Sequence, residues 1–181
     1  MRGDPAAFVS QHLLKRLIVF ASGKIRTYAL YFRIYTLPSQ KFIEGMVYIT
    51  RIEHFNAAHK LYNPSWTREQ NETVFGRCAN ENWHGHNFEL YVTIKGSPDP
   101  DTGFVYDVKR LSKIINEHVI EKLDHKNLNE DVDFMKGKMC SIENLVIAIW
   151  QQLAPRLPEE INLHCLKLYE TPRIFVEYYG N

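Results

Sequence analysis

The densest concentration of chemically able side chains in this sequence is Cys78-Ala-Asn-Glu-Asn-Trp-His84-Gly-His86. Two histidines two positions apart at the start of a strand point to the same side, at a spacing that suits two ligands of one metal ion. A third, His59, closes an earlier apolar run, and pairing of the two consecutive strands brings it beside the others. Three neutral imidazoles make a zinc site with an open fourth position, the catalytic arrangement, whereas Cys78 as a fourth ligand would make a closed structural site. A bare His-x-His is otherwise an ordinary surface pair. His59 and the nearby cysteine raise this one above that.

Two further features carry chemistry. In Leu123-Asp124-His125-Lys126-Asn127-Leu128-Asn129, an aspartate beside a histidine can hold the imidazole's tautomer and raise its pKa where the backbone bends. Taken alone, the segment reads as ordinary helix termination, with His125 and Lys126 complementing the dipole and Asn127 or Asn129 left-handed. Glu170 stands in a strand beside Tyr169 and Leu168. Burying a carboxylate is costly without donors, so Glu170 is either exposed or receives a ligand's N–H groups.

The elements that must position these groups follow from periodicity. Val47 to Ala57 is rich in β-branched and aromatic residues and reads as a strand. Tyr62 to Asn82 is polar, carries Pro64 and Gly76, and reads as a long loop of the functional kind. Phe88, Leu90, Val92 and Ile94 alternate with Glu89, Tyr91, Thr93 and Lys95, a strand with one buried face. After a turn over Gly96 to Gly103, a helix is predicted from about Val108 to Leu123, with one apolar stripe. A second begins at a Ser141 N-cap and stops at Pro155 and Pro158, its capping box incomplete because Asn144 stands where Glu or Gln is wanted. Leu163 to Glu170 and Ile174 to Tyr179 read as a closing hairpin. The expected fold is α+β, a four-stranded antiparallel sheet with two helices on one face. Tyr91, Tyr169, Phe175 and Tyr179 fall on the other face, which oligomerisation would cover.

Composition sets the frame. The chain has 181 residues, 45% hydrophobic and 24% charged, with 9 Gly and 8 Pro, which excludes low-complexity and disordered classes. Its net charge of +1 averages two unlike segments. Up to Gly45 seven basic residues (Arg2, Lys15, Arg16, Lys24, Arg26, Arg33, Lys41) face two acidic ones (Asp4, Glu44), and the remainder is acidic on balance. That remainder offers no footprint for nucleic acid. No run approaches the length needed to span a bilayer, so no membrane partner is expected. Cys78, Cys140 and Cys165 make no disulfide framework and suit a reducing compartment. The chain divides at about Met46: residues 1–45 are a basic extension compatible with a transit peptide, a poorly ordered tail, or a start upstream of the true initiator. The expected location is cytoplasmic, or mitochondrial if the extension is a transit peptide.

Phe55-Asn-Ala-Ala-His59, Phe75-Gly-Arg-Cys78 followed by five residues and His84-Gly-His86, Leu123-Asp-His-Lys-Asn-Leu128, Glu143-Asn144 and Tyr169-Glu170-Thr171 occur in the order found in 6-pyruvoyl-tetrahydropterin synthases, and the chain resembles that family from Met46 to Asn181. A related family, 6-carboxytetrahydropterin synthase, places fewer residues between its cysteine and the His-Gly-His. The resemblance implies a tunnelling fold, in which the sheets of three subunits join into a β-barrel and two trimers stack as a homohexamer. It implies conversion of 7,8-dihydroneopterin triphosphate to 6-pyruvoyl-tetrahydropterin with loss of triphosphate, a carbon–oxygen lyase reaction in tetrahydrobiopterin biosynthesis that needs Zn2+ and no external redox cofactor. Carried over residue by residue, it makes His59, His84 and His86 the zinc ligands, Cys78 the proton-abstracting base, Asp124 and His125 the proton relay, and Glu170 the pterin anchor. Cys78 cannot be both ligand and base. One departure is Ser141-Ile142, where the family often carries two adjacent hydroxyl residues.

Overall fold

The computed structural model describes residues 12–21, 24–33, 45–159 and 161–180. The chain divides into two units, Met1–Ile43 and Glu44–Asn181. In the first, β1 (His12–Ala21) and β2 (Lys24–Arg33) pair antiparallel from His12 opposite Arg33 to Ala21 opposite Lys24. The expectation of a targeting or poorly ordered leader falls otherwise outside the described residues.

The second unit is built on two long strands. Both β3 (Val47–His59) and β4 (His84–Gly96) have 13 residues, and they pair antiparallel in one unbroken register from Val47 opposite Gly96 to His59 opposite His84. Between them, the stretch expected as a loop contains α1 (Arg68–Phe75). Thr67 caps it with a complete capping box: the Thr67 hydroxyl accepts from the Gln70 N–H, and the Gln70 side chain accepts from the Thr67 N–H. Asn71, fully buried, ties the helix to the preceding turn by accepting from the Asn63 N–H and donating to the Asn63 and Thr67 carbonyls.

The helix expected from Val108 is present, in three pieces. Asp107 caps α2 (Val108–Ile115), a π turn covers Asn116–Ile120, and α3 (Glu121–Leu123) ends the run. Its fully buried residues, Leu111, Ile115, Val119 and Leu123, recur every fourth position. A plain α-helix would rotate such a set by about 40° each turn. The wider π turn holds them on one face.

After that helix the chain returns to the sheet as β5 (Lys126–Asn127), two residues parallel to β3 at Ala57 and Ala58. Then α4 (Ile142–Leu153) starts at Ser141, whose hydroxyl accepts from the Asn144 N–H, while the Asn144 amide donates to the Met139 carbonyl. Asn144 thus supports the helix start without completing a capping box. The closing hairpin is β6 (Asn162–Thr171) and β7 (Ile174–Tyr178). The sheet order is β5-β3-β4-β6-β7. The architecture is α+β, as expected, with five strands in place of four; the added strand is the short parallel one.

The core lies between sheet and helices. Phe55 and Phe88 stack with centroids 4.8 Å apart, and Leu90, Val92, Ile94, Leu166 and Leu168 meet Leu111, Ile115, Leu145, Ile149 and Leu153, all at 0–1% exposure. Each such side chain contributes about 1.5–3 kcal/mol of burial. The outer face carries Tyr91, Tyr169 and Phe175 in successive ring contacts, and Tyr48, His164 and Tyr179 in another set, with Phe175 and Tyr179 exposed.

Candidate metal centre

His59 ends β3 and His84 begins β4, and the register sets them directly opposite one another. His86 follows on the same side of β4. Between these two histidines only glycine fits without a shift, because a Cβ on Gly85 would lie 3.1 Å from the Ala57 carbonyl oxygen. The ring centroids stand 4.5 Å (His59 to His84), 5.2 Å (His59 to His86) and 5.0 Å (His84 to His86) apart. One nitrogen from each ring lies within 4.8 Å of the others.

His59 is 2% exposed, and its Nδ1–H donates to the Cys140 carbonyl at 2.8 Å. That bond fixes the tautomer and leaves Nε2 with its lone pair facing the cluster. His59 Nε2 and His84 Nδ1 are buried nitrogens with no hydrogen-bond partner. Burial lowers the pKa of all three imidazoles, and mutual proximity lowers them further; at His59 the Cys140 bond and Glu170 act in the opposite sense. Neutral, converging imidazoles, two of them with an orphaned nitrogen, fit a metal ion.

Glu170 faces this cluster. Its Oε1 lies 3.4 Å from His59 Nε2 and 3.8 Å from His86 Nε2, and its side chain is 15% exposed. Burial raises its pKa, His59 opposes that, and Glu143 adds to it. Of the two alternatives the sequence left open for Glu170, the exposed one is excluded.

The structure leaves Cys78 outside the group of mutually close ligand atoms. Cys78 is half-buried in the 3-10 turn Gly76–Ala79, and its carbonyl accepts from the Leu61 N–H at 2.8 Å, tying the turn to the chain just beyond His59. The Asp124–His125 pair does form, with His125 Nδ1 2.9 Å from Asp124 Oδ2 and Asp124 Oδ1 accepting from the Asn56 N–H at 2.8 Å. The Asn56 bond and then His125 hold the Asp124 carboxyl below its usual range. His125 adopts a left-handed φ of 57°, donates its N–H to the Asn56 carbonyl, and exposes 79% of its side chain. It shares an open groove with His86 but does not touch the imidazole cluster.

One contributor escaped sequence reading. The Cys140 carbonyl is a backbone atom, which no residue type announces; its own thiol is buried and pushed up to about 11, hence inert. Lys60, next to His59, lays its ammonium 4.2 Å from the ring centroid of Trp83, the neighbour of His84. Trp83 holds a φ of 63°, a left-handed conformation uncommon for a bulky residue.

The α+β sheet thus converges three neutral imidazoles and a half-buried carboxylate on one point, a site that could hold a single metal ion. The family model of 6-pyruvoyl tetrahydropterin synthase matches residues 48–181. The 6-pyruvoyl tetrahydrobiopterin synthase of Dictyostelium discoideum is 42% identical over 134 residues, covering 74% of this chain and 96% of that protein. The human 6-pyruvoyl tetrahydrobiopterin synthase is 39% identical over 132 residues, covering 73% and 90%. The solved structure of the Caenorhabditis elegans 6-pyruvoyl tetrahydropterin synthase superposes with a TM-score of 0.71 at 34% identity, covering 76% of this chain and 97% of that one. The chain belongs to the 6-pyruvoyl tetrahydropterin synthase family of lyases.

Proposed function

We propose that this protein converts 7,8-dihydroneopterin triphosphate to 6-pyruvoyl-tetrahydropterin with elimination of triphosphate, using zinc held by His59, His84 and His86. The observation that carries the reading is the cluster of orphaned, buried imidazole nitrogens beside a half-buried carboxylate, in a chain of this family. Zinc bound there supplies Lewis-acid stabilisation of the negative charge that develops when a carbon-bound proton leaves. Cys78 takes that proton as a thiolate. Asp124 orients His125, which carries protons as the side-chain carbonyl forms. Glu170 accepts from the pterin ring N–H and exocyclic amine together, so analogues lacking those donors are disfavoured.

Residues 46–181 supply all of these groups, and residues 1–45 none. We place the assembly as a homohexamer of two barrel trimers, a reading supported by the exposed aromatic face of the sheet. The location we favour is the cytoplasm, with which three free cysteines agree; a fluorescent fusion found in mitochondria would overturn it. No helix among the described residues is long and apolar enough to cross a membrane.

The test is metal analysis and product identification by mass spectrometry on the full chain. The expected product carries a pyruvoyl chain and appears with equimolar triphosphate, and Cys78→Ala abolishes it. A carboxyl group at position 6 would assign the chain to the related reaction, and undiminished turnover in Cys78→Ala would refute the assigned base.

A further inference from the structure

The segment that carries Asp124 and His125 runs beside the end of β3 and bonds to it at alternate residues. At Asn56 the carbonyl accepts from the His125 N–H at 2.6 Å, and the N–H donates to Asp124 Oδ1 at 2.8 Å. At Ala58 the carbonyl accepts from the Leu128 N–H at 2.8 Å. At Lys60 the rung is made by a side chain. Asn129 Oδ1 accepts from the Lys60 N–H at 3.0 Å, and Asn129 Nδ2 donates to the Lys60 carbonyl at 3.1 Å. A carboxamide carries the same donor and acceptor as a peptide group. The Asn129 side chain therefore continues a ladder that β5, with two residues, leaves short.

Asn129 is aimed by its own turn. Asn127 Oδ1 accepts from the Asn129 N–H at 3.0 Å, and the Asn127 N–H donates to Asp131 Oδ2 at 2.9 Å. Neither asparagine takes the left-handed conformation expected of a helix terminus. What the rung holds is the chain between two groups of the site. Lys60 follows His59, which pairs with His84 on the other side of β3, and precedes Leu61, whose N–H donates to the Cys78 carbonyl at 2.8 Å.

We propose that Asn129 is a positioning residue of this site: it closes the ladder beyond His59 and so fixes the His59 imidazole and the Cys78 turn relative to the segment bearing Asp124 and His125. The inference rests on the roles given to His59 and Cys78 in the preceding section.

Two measurements on the full chain test it, neither of which needs turnover. Zinc affinity, read by chelator competition, should fall about tenfold in Asn129→Ala, the size of effect seen when the support of a metal ligand is removed. Alkylation of the metal-free protein by iodoacetamide, followed by mass spectrometry of the Cys78 peptide, should run several-fold faster as the turn opens more often. Cys140 and Cys165 are buried, so the native protein reports Cys78. Asn129→Asp keeps the acceptor and loses the donor, and should fall between parent and Asn129→Ala in both measurements; it carries the test if Asn129→Ala does not fold. An unchanged zinc affinity, an unchanged Cys78 rate, or a parent that binds no zinc would overturn the proposal, whatever stability is lost in urea. Both shifts in a protein without turnover would sink the proposed reaction and leave the role of Asn129 standing. An active enzyme whose Asn129→Ala variant keeps the parent's zinc affinity, Cys78 rate and kcat would do the reverse.

Discussion

Consider His84→Leu, measured with and without metal. His84 Nδ1 is buried with no hydrogen-bond partner. In the metal-free protein such a nitrogen costs about 1–3 kcal/mol, and leucine removes that cost while keeping apolar contact with the strand end. For a chain of this length 1 kcal/mol corresponds to about 2–4 °C in Tm, so in chelator the variant should melt several degrees above the parent. Zinc reverses the order. At a free concentration a hundred times Kd, the ion stabilises the parent by about 2.7 kcal/mol, roughly 5–10 °C, and gives little to a variant left with two imidazoles. Differential scanning fluorimetry in EDTA and in buffered zinc reads both arms. The reasoning is refuted if His84→Leu is less stable than the parent in EDTA, or if the parent's melting temperature ignores zinc.

Gly85→Ala forces the Ala57 carbonyl to yield by a few tenths of an ångström between two ligand positions; zinc affinity, read by chelator competition, should fall about tenfold, a loss of the size seen when ligand supports are disturbed. Asn71→Ala leaves the Asn63 N–H without its partner and takes one of two donors from each of the Asn63 and Thr67 carbonyls, and should cost about 1–3 kcal/mol by urea unfolding, with faster proteolysis between residues 61 and 76; unchanged stability would show the bracket to be slack. Asp124 has a folded pKa below its unfolded one, so its contribution is present above the unfolded value of about 3.9 and lost as pH falls through the lower folded one. Asp124→Asn should therefore flatten the loss of stability below about pH 4, and identical acid-unfolding curves would contradict this. Glu170→Gln should weaken pterin binding by tenfold or more by fluorescence titration, since glutamine cannot accept twice from one ring edge.

Much of the fold was legible because apolar periodicity records burial directly. The alternation from Phe88 to Lys95 and the stripe from Leu111 to Leu123 each name their own face. The imidazole cluster was legible for a related reason: side chains two apart on a strand, opposite a third, need only strand pairing to converge. What stayed hidden depended on partners rather than patterns. Thr67 to Gln70 spells a capping box, but a polar segment with Pro64 and Gly76 masks a helix whose only buried residue is a hydrogen-bonded asparagine. β5 is two residues long, held by backbone bonds that His125 and Leu128 make to β3, and no composition encodes that. Glu170 reads the same whether it faces solvent or imidazole, until β6 is placed beside β4 and its inward side is known.

The Cys140 carbonyl that receives the His59 N–H belongs to the residue immediately before Ser141, the cap on which α4 begins. The imidazole cluster and α4 thus share one tether. An ion held by His59 would through that bond also brace the first turn of α4.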